Sequence, residues 1–338
     1  MTLLYSKILH SAGHDCTIGI WMNKGRGFQL EPFMPKDINF KVLRCPQILL
    51  AWKYALLIRR ESPDIVFSSL PLSSKIILQL KAYGIIHNKI VIRHFNMPSK
   101  HSKRSLKTLK KTLNYFKHAN AIISQTDEMK DEMIKYFNLP AEQITIIHNP
   151  IDKSLIFDKI NDQSSIDHHY TNYLGVGRIA RQKDFKTMIK AFGIVCQQEP
   201  NSRLYIVGGY EQNQIKKDLD ELITKLDLSE KVFFEGLQSN PFKYMNDCNV
   251  FLLSSIFEGL PNAMLEAMYI GKPVVATESI PFIGQVIKDG INGYTVPVGD
   301  YEQFAKRMLD ATKLNIVEKF VDVTNSEDKI IRLFESLK

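Results

Sequence analysis

Residues Ser254–Pro273 read SSIFEGLPNAMLEAMYIGKP, and the organisation of the chain can be worked out from this stretch. Two glutamates, Glu258 and Glu266, are separated by seven residues, and the tripeptide Gly259–Pro261 interrupts the chain between them. The apolar run Val250–Leu253 before the stretch predicts a buried strand, and the apolar spacing after the tripeptide predicts a helix. The pattern therefore predicts a strand, a loop with one carboxylate and a helix with the other.

The predicted helix begins near Pro261 or Asn262. Proline suits the first helical position because it lacks an N–H group, which would have no partner there. The free N–H groups and the positive end of the helix dipole attract anions, and phosphate above all. Two carboxylates beside such a helix end suit a ligand with both phosphates and hydroxyls, as a sugar nucleotide has.

The stretch resembles the E-x7-E signature of the retaining GT-B glycosyltransferases of family 4. Bacterial members carry a string close to SxxEGxPxxxLEAMxxGxPVVA, and this chain matches that string through Ala276. An isolated pair of glutamates at this spacing would be a weak signal, because any acidic helix can produce it. The length of the match makes the resemblance specific.

A second motif lies in Tyr173–Lys183, which reads YLGVGRIARQK. An apolar strand leads to Gly177, where the absence of a side chain lets a ligand approach the backbone. Arg178 offers a planar fork and Lys183 a compact charge, and both suit a diphosphate. The same family places its diphosphate-binding residues in a GRxxxxK arrangement here. The alternative is an ordinary solvated basic loop.

The resemblance implies a role for each matching residue. Glu266 is expected to accept hydrogen bonds from the ribose hydroxyls, with a solvated helix glutamate as the alternative. Glu258 is expected to contact hydroxyls of the transferred sugar near the reacting carbon, without being established as a covalent nucleophile. The implied nucleotide-sugar site consists of Gly177, Arg178, Lys183, Glu258, Gly259, Leu260, Pro261, Asn262 and Glu266.

The catalytic residues that the resemblance implies are Glu258, Arg178, Lys183 and His94. The two cations would stabilise the charge that grows on the departing diphosphate. Retention in the family is ascribed to attack on the same face as the departing diphosphate. His94 follows an apolar strand (IVIRHFN) and would contact the donor sugar or orient the acceptor. A structural histidine at a strand end is the alternative.

The sequence indicates no cofactor and no metal site. The four cysteines are scattered, without a CxxC pair or a His/Cys cluster. The D-x-D triplet Asp218–Asp220 lies in a helical pattern and reads as a solvated helix face. The nucleoside-diphosphate sugar would be a co-substrate, with uracil favoured as its base and guanine or adenine left open.

Short apolar runs alternate with amphipathic helical patterns, which predicts an α/β fold with parallel sheets. The resemblance implies the GT-B fold, in which two doubly wound Rossmann-like domains face a cleft. The expected divisions are an N-terminal acceptor-side domain over 1–152, a linker over 153–170, a nucleotide-sugar-binding domain over 171–315 and a C-terminal helical segment over 316–338.

The element predictions follow the same patterns. The predicted strands are Cys16–Trp21, Ile65–Ser68, Ile90–His94, Ala121–Ser124, Ile144–Ile147, Tyr173–Val176, Arg203–Val207, Val232–Glu235, Val250–Leu253, Pro273–Thr277 and Gly293–Val296. Predicted helices include Met1–Ala12, Ala51–Glu61, Asp127–Tyr136, Phe185–Glu199 and Asn213–Leu226.

The start of the sequence departs from the family pattern. Members normally begin with a strand and a Gly-rich loop before their first helix, whereas Met1–Ala12 already has the spacing of that helix. The following AGHDCTIGIW then resembles the second strand of the family. The opening strand is therefore expected to be missing, which would leave backbone groups of its neighbours without partners.

The formal net charge of +8 is unevenly distributed. Lys100–Lys117 holds seven Lys or Arg residues and no acid, with apolar residues at helical spacing. A basic amphipathic helix is typical of a contact with anionic lipid, and a solvated helix face is the alternative. Nucleic acid is disfavoured, because no nucleic-acid-binding motif lies nearby. We expect a cytoplasmic protein, with a peripheral contact to the inner face of the cytoplasmic membrane.

The leading interpretation is a retaining, metal-independent glycosyltransferase. It would move a sugar from a nucleoside-diphosphate sugar, UDP for preference, to a glycan acceptor, lipid-linked for preference, in cell-surface polysaccharide synthesis. One alternative is an inactive nucleotide-sugar-binding remnant or partner subunit that lacks the first strand. Another is a nucleotide-sugar epimerase of the same fold, against which the style of the E-x7-E string argues.

Overall fold

A computed structural model of the chain describes residues 1–22, 37–94, 114–315 and 325–338. The described residues form two compact units. One comprises Met1–Pro150 together with Thr324–Lys338, and the other comprises Ile151–Val323. Each unit has its own parallel strands and its own hydrophobic core.

The described elements alternate between strands and helices, as the sequence predicts. The strands are β1 (Thr17–Met22), β2 (Asn39–Arg44), β3 (Ile65–Ser68), β4 (Lys89–Arg93), β5 (Ala121–Ser124), β6 (Ile144–Ile146), β7 (Thr171–Val176), β8 (Ser202–Val207), β9 (Val232–Gly236), β10 (Val250–Leu253), β11 (Val274–Thr277) and β12 (Gly293–Val296). The helices are α1 (Thr2–Ser11), α2 (Leu50–Glu61), α3 (Pro71–Ala82), α4 (Asp127–Phe137), α5 (Lys153–Lys159), α6 (Phe185–Gln198), α7 (Asn213–Lys225), α8 (Phe242–Asp247), α9 (Asn262–Ile270), α10 (Pro281–Val286), α11 (Tyr301–Ala311) and α12 (Ser326–Glu335).

The second unit contains a six-stranded parallel sheet in the order β12-β11-β10-β7-β8-β9. Its first strand, β7, lies in the middle of the sheet. The chain winds to one edge through β8 and β9, and then adds β10, β11 and β12 on the other side. In such doubly wound sheets, ligands bind at the carboxyl ends of strands where the strand order reverses. The reversal here lies between β7 and β10.

The strands of this sheet are covered by helices, which explains why they read as continuous apolar runs. All residues of β10 and β11 are buried. Phe192 of α6 and Phe304 of α11 belong to one apolar cluster with Tyr173 and Ile206 of the sheet. Packing of this kind holds the strand ends in place, and with them the loops that follow.

The first unit contains two parallel sheets, one of β1 and β2 and one in the order β3-β4-β5-β6. Among the described residues, β1 pairs only with β2, and β3 pairs only with β4. Trp21 and Leu43 of the smaller sheet nevertheless pack against a cluster that includes Ile90 and Ile92 of the larger one. Side-chain packing, and not backbone hydrogen bonding, therefore joins the two sheets within the described residues.

The last helix, α12, belongs to the first unit. Ile330 and Phe334 pack in one cluster with Tyr5 and Leu9 of α1. The Phe334 ring meets the ring of Phe67 edge-on, with the centroids 5.9 Å apart. The chain thus returns to its first unit at the end, which the sequence did not predict.

Most predicted elements are confirmed. Four of the predicted strands have the observed bounds, and the others differ by one or two residues at one end or at both. The prediction omits β2 (NFKVLR), whose mixed charged and apolar residues lie half-exposed in a two-stranded sheet. Residues 153–170, expected as a linker, contain α5, whose Ile156 is buried. None of the described helices combines the length and hydropathy that a bilayer crossing requires.

The predicted basic helix Lys100–Lys117 falls outside the described residues up to residue 113. Of its last part, Phe116 is buried in a 3-10 turn, Phe116–His118. The prediction that this stretch contacts lipid is therefore not tested by the structure.

Gly208 follows β8 at a point where the loop after β7 passes closely. A Cβ atom at Gly208 would lie 1.9 Å from the carbonyl oxygen of Gly177. Gly208→Ala is therefore expected to lower the free energy of unfolding by about 2–4 kcal/mol, because backbone atoms must move apart. Urea unfolding measures this, with Gly209→Ala as the matched control, since a Cβ there meets nothing closer than Leu237 at 3.9 Å. Equal losses in the two variants would contradict the close approach.

Candidate active site

The two sequence motifs lie side by side where the strand order of the second unit reverses. β7 leads into Gly177 and Arg178 and then into a 3-10 turn, Arg181–Lys183. β10 leads into residues Ser254–Pro261, here called the glutamate loop, and α9 begins at Asn262 as predicted. Because β7 and β10 are neighbours in a parallel sheet, both loops leave the sheet at the same edge.

Lys183 and Glu258 form a short ion pair between these loops. The Lys183 Nζ lies 2.6 Å from Glu258 Oε1, and the side chains are 21% and 6% exposed. The Ser255 hydroxyl donates a second hydrogen bond, of 2.6 Å, to the same oxygen. A buried carboxylate is costly unless it is paired and hydrogen-bonded, so both contacts stabilise the charge of Glu258.

Gln182 ties the glutamate loop to the loop after β7. Its carbonyl oxygen accepts a hydrogen bond of 2.8 Å from the Ile256 N–H, and its side-chain amide donates one of 2.9 Å to the Phe257 carbonyl. The Ser254 hydroxyl also donates to the carbonyl of Lys183, at 2.9 Å. The distance between Lys183 and Glu258 is therefore maintained by backbone contacts as well as by the ion pair.

The stem of Lys183 passes over Gly177. A Cβ atom at position 177 would lie 3.3 Å from Lys183 Cε, in a residue whose φ is +156°. A side chain at this position would make the lysine stem move by a few tenths of an ångström, and it would have to adopt a backbone conformation that residues other than glycine rarely adopt. Glycine therefore suits this position locally, in addition to any role in letting a ligand approach.

Arg178 stands apart from this pair. Its Nη1 lies 2.8 Å from Glu211 Oε1, and both side chains are exposed. Within the described residues, no hydrogen bond joins Arg178 to Lys183 or Glu258. An exposed pair contributes only about 0–1 kcal/mol, so the guanidinium can exchange Glu211 for another anion at little cost.

The remaining predicted phosphate-binding positions lie where the glutamate loop meets α9. Leu260 and Pro261 are buried, whereas Gly259 and Asn262 are partly exposed. α9 ends at Ile270, and Gly271 after it adopts the left-handed conformation that is common for glycines that cap a helix. The predicted strand–loop–helix arrangement is thus present, and the contacts of these residues with a phosphate stay a prediction.

Glu266 lies in the second turn of α9, as predicted, and is partly buried. Burial, together with the negative charge of Asp152, raises the pKa of Glu266 to about 7. Asp152 caps α5, where its Oδ1 accepts a hydrogen bond of 3.0 Å from the Leu155 N–H. A carboxyl group that is half protonated near neutral pH can both donate to and accept from hydroxyls, which suits a diol.

His94 lies directly after β4 in the first unit and is buried. Its backbone N–H donates to the Ile123 carbonyl at 2.9 Å, and its ring meets Phe116 edge-on, with the centroids 5.8 Å apart. The neighbouring Arg93 donates to Asn149 Oδ1, and burial lowers the pKa of its guanidinium. These contacts anchor His94 within its own unit, and its catalytic role stays a prediction.

The D-x-D triplet lies on α7, where the sequence predicts a solvated helix face. Asp218 accepts a hydrogen bond of 2.7 Å from Gln214, and Asp220 pairs with Lys216 at 2.5 Å. Within the ranges that the structure describes, no group of three or more His, Cys, Asp or Glu side chains could hold a metal ion. Metal independence of the reaction stays a prediction.

Three residues that shape the site were not singled out from the sequence: Ser255, Gln182 and Glu211. Ser255 stands inside the string that resembles the family, so its place three residues before Glu258 was an available signal. Gln182 falls at an open position of the GRxxxxK pattern. Glu211 is 33 residues from Arg178, and no local spacing indicates that pair.

The doubly wound parallel sheet, with a glycine–arginine loop and a lysine–glutamate pair at its reversal, has the topology of a Rossmann-like domain. The family model of the glycosyl transferases group 1 matches residues 156–325, and that of glycosyltransferase family 4 matches residues 5–155. The chain therefore belongs to the group 1, family 4 glycosyltransferases, as the motifs predict. Its two Rossmann-like units are those of the GT-B fold.

Individual relatives agree with this assignment. An uncharacterized glycosyltransferase of Methanocaldococcus jannaschii is 31% identical over 260 residues, which cover 71% of this chain but only 60% of that protein. The Campylobacter jejuni N-acetylgalactosamine-N,N'-diacetylbacillosaminyl-diphospho-undecaprenol 4-alpha-N-acetylgalactosaminyltransferase is 27% identical over 307 residues, which cover 88% of this chain and 81% of that protein. The crystal structure of Anabaena HepE in complex with UDP has a TM-score of 0.76 and 18% identity, covering 98% of this chain and 96% of that one. The structural likeness shows the shared fold.

Removing one charge of the Lys183–Glu258 pair is expected to lower the free energy of unfolding more than removing both charges. Lys183→Met keeps the stem but leaves a buried carboxylate without its cation, which should lower the free energy of unfolding by about 1–3 kcal/mol. The double variant Lys183→Met/Glu258→Gln should recover part of that loss. Urea unfolding of the two single variants and the double variant gives the coupling energy. Additive effects within about 0.5 kcal/mol would show that the pair is not energetically coupled.

The raised pKa of Glu266 predicts a pH-dependent stability. In the native state this carboxyl keeps its proton up to about pH 7, whereas its ordinary pKa is 4.5. The native state therefore binds more protons between these values, and stability is lost as pH rises through them. Glu266→Gln removes this loss. Between about pH 5 and about pH 8, the free energy of unfolding of the variant should therefore rise relative to that of wild type, by at most about 3 kcal/mol.

Thermal unfolding of both proteins across this pH range measures the effect of Glu266→Gln. Glu302→Gln is the matched control, because Glu302 is an exposed helix glutamate near the start of α11. The difference between this control and wild type should stay constant with pH. A constant difference for Glu266→Gln as well would mean that Glu266 ionises normally in the folded protein.

Proposed function

We propose that this protein is a retaining glycosyltransferase that moves a sugar from a UDP-sugar to a glycan acceptor in cell-surface polysaccharide synthesis. The observation that carries the proposal is the Lys183–Glu258 ion pair at the reversal of the strand order. One partner of this pair suits a phosphate and the other suits a hydroxyl, and a nucleotide sugar presents both. The complex of the similar HepE with UDP supports uracil as the base.

In the proposed reaction, Lys183 exchanges partners when the donor binds. Its ammonium group would turn from Glu258 to the diphosphate, and Arg178 would leave Glu211 for the same ligand. Both cations would then stabilise the charge that develops on the departing diphosphate. Glu258, still hydrogen-bonded by Ser255, would accept hydrogen bonds from hydroxyls of the transferred sugar.

The remaining site residues would orient the two substrates. Glu266 would hold the ribose hydroxyls, and the backbone N–H groups of Gly259–Asn262 would contact the diphosphate. His94 would contact the donor sugar or orient the acceptor. The acceptor hydroxyl would attack the sugar on the face that the diphosphate leaves, so the configuration would be retained. An oxygen of the departing diphosphate would take the proton of the acceptor hydroxyl. The cationic side chains would serve in place of a metal ion.

We propose a lipid-linked glycan as the acceptor, with the enzyme in the cytoplasm at the inner face of the membrane. The similar C. jejuni enzyme is named for a diphospho-undecaprenol-linked substrate. The basic stretch Lys100–Lys117 would provide a peripheral contact with anionic lipid.

Donor binding can be tested by thermal shift with UDP, GDP, ADP and their sugars. A ligand at 100 times its Kd should stabilise the protein by about 2.7 kcal/mol. We expect a shift with UDP and UDP-sugars that is lost in Lys183→Met. It should persist in Lys186→Met, which removes an exposed lysine three residues away. A shift with no nucleotide in the wild type, or an equal shift in both variants, would overturn the proposed donor site.

Transfer is tested separately, by UDP release and product analysis with polyprenyl-diphosphate-linked saccharides. An α-linked product from an α-linked donor, formed equally well with a metal chelator present, supports a retaining and metal-independent enzyme. An inverted linkage, or a rate abolished by the chelator, would refute the corresponding part of the proposal. Donor binding without transfer to any acceptor would favour the inactive remnant or partner subunit.

A further inference from the structure

The glutamate loop is anchored from both of the strands that flank β10. In the sheet, β10 lies between β7 and β11. On the side of β7, Gln182 forms hydrogen bonds with the backbone of the loop. On the side of β11, the contact comes from Thr277, the last residue of that strand, whose side chain is fully buried. The loop that carries Glu258 therefore has a second anchor, and this anchor is a side-chain hydroxyl.

The Thr277 hydroxyl binds the loop at the point where the backbone ladder between β10 and β11 ends. The last paired residues of that ladder are Leu253 and Ala276. One residue further, the Thr277 Oγ1 lies 2.6 Å from the carbonyl oxygen of Ser255 and 3.3 Å from that of Leu253. Since a carbonyl oxygen can only accept, Thr277 is the donor, and its shorter bond goes to Ser255. The side chain thus continues the pairing of the two strands into the loop.

From Ser255 the contact continues to the carboxylate of Glu258. The Ser255 hydroxyl donates to Glu258 Oε1 at 2.6 Å, and Ser255 is itself fully buried. A bond that fixes the backbone of Ser255 also fixes the position from which its hydroxyl reaches the carboxylate. Thr277, Ser255 and Glu258 are therefore linked by two successive hydrogen bonds, here called the hydroxyl chain, that lead from the sheet to the glutamate.

Packing of the sheet does not require a hydroxyl at the end of β11. The other residues of the strand are apolar and fully buried: Val274, Val275 and Ala276. Valine has nearly the shape of threonine and is favoured in strands. A buried hydroxyl, in contrast, must find an acceptor to offset its lost hydration. The Thr277 hydroxyl finds this acceptor in the glutamate loop, so the polar atom acts on the loop rather than on the strand.

The hydroxyl chain is needed most when Lys183 is not paired with Glu258. In the structure, Lys183 and Ser255 both contact Oε1 of Glu258. Under the proposed function, the lysine turns to the diphosphate of the donor, and Ser255 remains to orient the carboxylate. The contribution of Thr277 is then greatest in the donor complex, where Glu258 has to meet the hydroxyls of the transferred sugar.

We propose that Thr277 is a positioning residue for sugar transfer and that it acts on Glu258 through Ser255. This inference rests on the proposed function, because it requires a donor sugar that Glu258 contacts. Thr277 acts without touching the substrate, by holding the carboxylate in the orientation that the reaction requires. Misplacing such a group by about 1 Å can lower the rate by about a hundredfold.

The test separates the turnover number from the binding of the nucleotide. Thr277→Val removes the hydroxyl but nearly keeps the shape, and it should lower kcat of the transfer assay by about tenfold to a hundredfold. The Kd for UDP should stay within about twofold, because UDP has no transferred sugar for Glu258 to contact. Thr277→Ser keeps the hydroxyl and should retain most of the wild-type kcat.

Thr224→Val is the matched control for Thr277→Val. It also removes a threonine hydroxyl that donates to a backbone carbonyl, that of Asp220 at 3.0 Å, but on α7 and not in the glutamate loop. This control should change neither kcat nor the Kd for UDP. Circular dichroism shows whether each variant is folded. If Thr277→Val does not fold, the comparison of Thr277→Ala with Thr277→Ser tests the same hydroxyl.

A double variant tests whether Thr277 acts through Ser255. Ser255→Ala removes the second hydroxyl of the chain and should lower kcat at least as much as Thr277→Val does, again with little change in the Kd for UDP. Once residue 255 has no hydroxyl, Thr277 has nothing to orient. The double variant Ser255→Ala/Thr277→Val should therefore be about as active as Ser255→Ala alone.

Three results would overturn the positioning role and leave the proposed function in place. The first is a kcat of Thr277→Val equal to that of an active wild type. The second is a loss of UDP binding as large as the loss of kcat, which would indicate general damage to the loop. The third is a double variant in which the two losses multiply, because Thr277 would then act independently of Ser255. A wild type that transfers no sugar would refute the proposed function, and the positioning role with it.

Discussion

The buried carboxylate of Glu258 is the constraint on which the candidate site depends. A charge at this depth needs a cation and hydrogen-bond donors, and Lys183 and Ser255 supply them at 2.6 Å. Lys183 is 75 residues away in sequence, so the pair forms only because the sheet places β7 beside β10. The other local features serve the same contact: Gly177 leaves room for the lysine stem, and Gln182 bonds the two loops together. The doubly wound topology thus creates the site, because the reversal of the strand order brings the loops of Lys183 and Glu258 together.

The two glutamates of the E-x7-E motif have opposite electrostatic surroundings. Glu258 is paired with a lysine. Glu266 is desolvated and lies near the negative charge of Asp152, and these two effects raise the pKa of Glu266 to about 7. A ligand that binds both would therefore have to displace a cation from the first and adjust the proton of the second. Phosphate binding by Lys183 and hydroxyl binding by the carboxyls would meet both requirements at once. The fixed spacing in sequence hides this difference, because nothing in the motif itself indicates which glutamate has the cation.

The sequence predicted the second unit more completely than the first. Strands such as β10 and β11 are buried on both faces and read as unbroken apolar runs, and their loops carry residues with recognisable spacing. β2 escaped prediction because it belongs to a two-stranded sheet with half-exposed residues, where the apolar signal is weak. The return of α12 to the first unit depends on contacts of Phe334 with Tyr5 and Phe67, more than 250 residues away along the chain, as the residue numbers show. The pairing of Arg178 with Glu211 could not be predicted from the sequence either, because it depends on the conformation of two loops at the edge of the sheet.

The two sides of helix α2 differ in what the packing of the unit requires of them. Its inner side, with Leu50, Tyr54 and Ile58, accounts for its place in the core, and that side alone would suffice to fold the helix onto the sheet. Its outer side gains nothing from folding, because Ile48 and Trp52 stay in contact with water in the described structure. Exposed single apolar residues are ordinary, but several along one side of a helix with arginines at its end are not explained by the stability of the unit. The inner side of α2 is therefore determined by the packing of the core, whereas its outer side is not, and one helix satisfies two independent constraints.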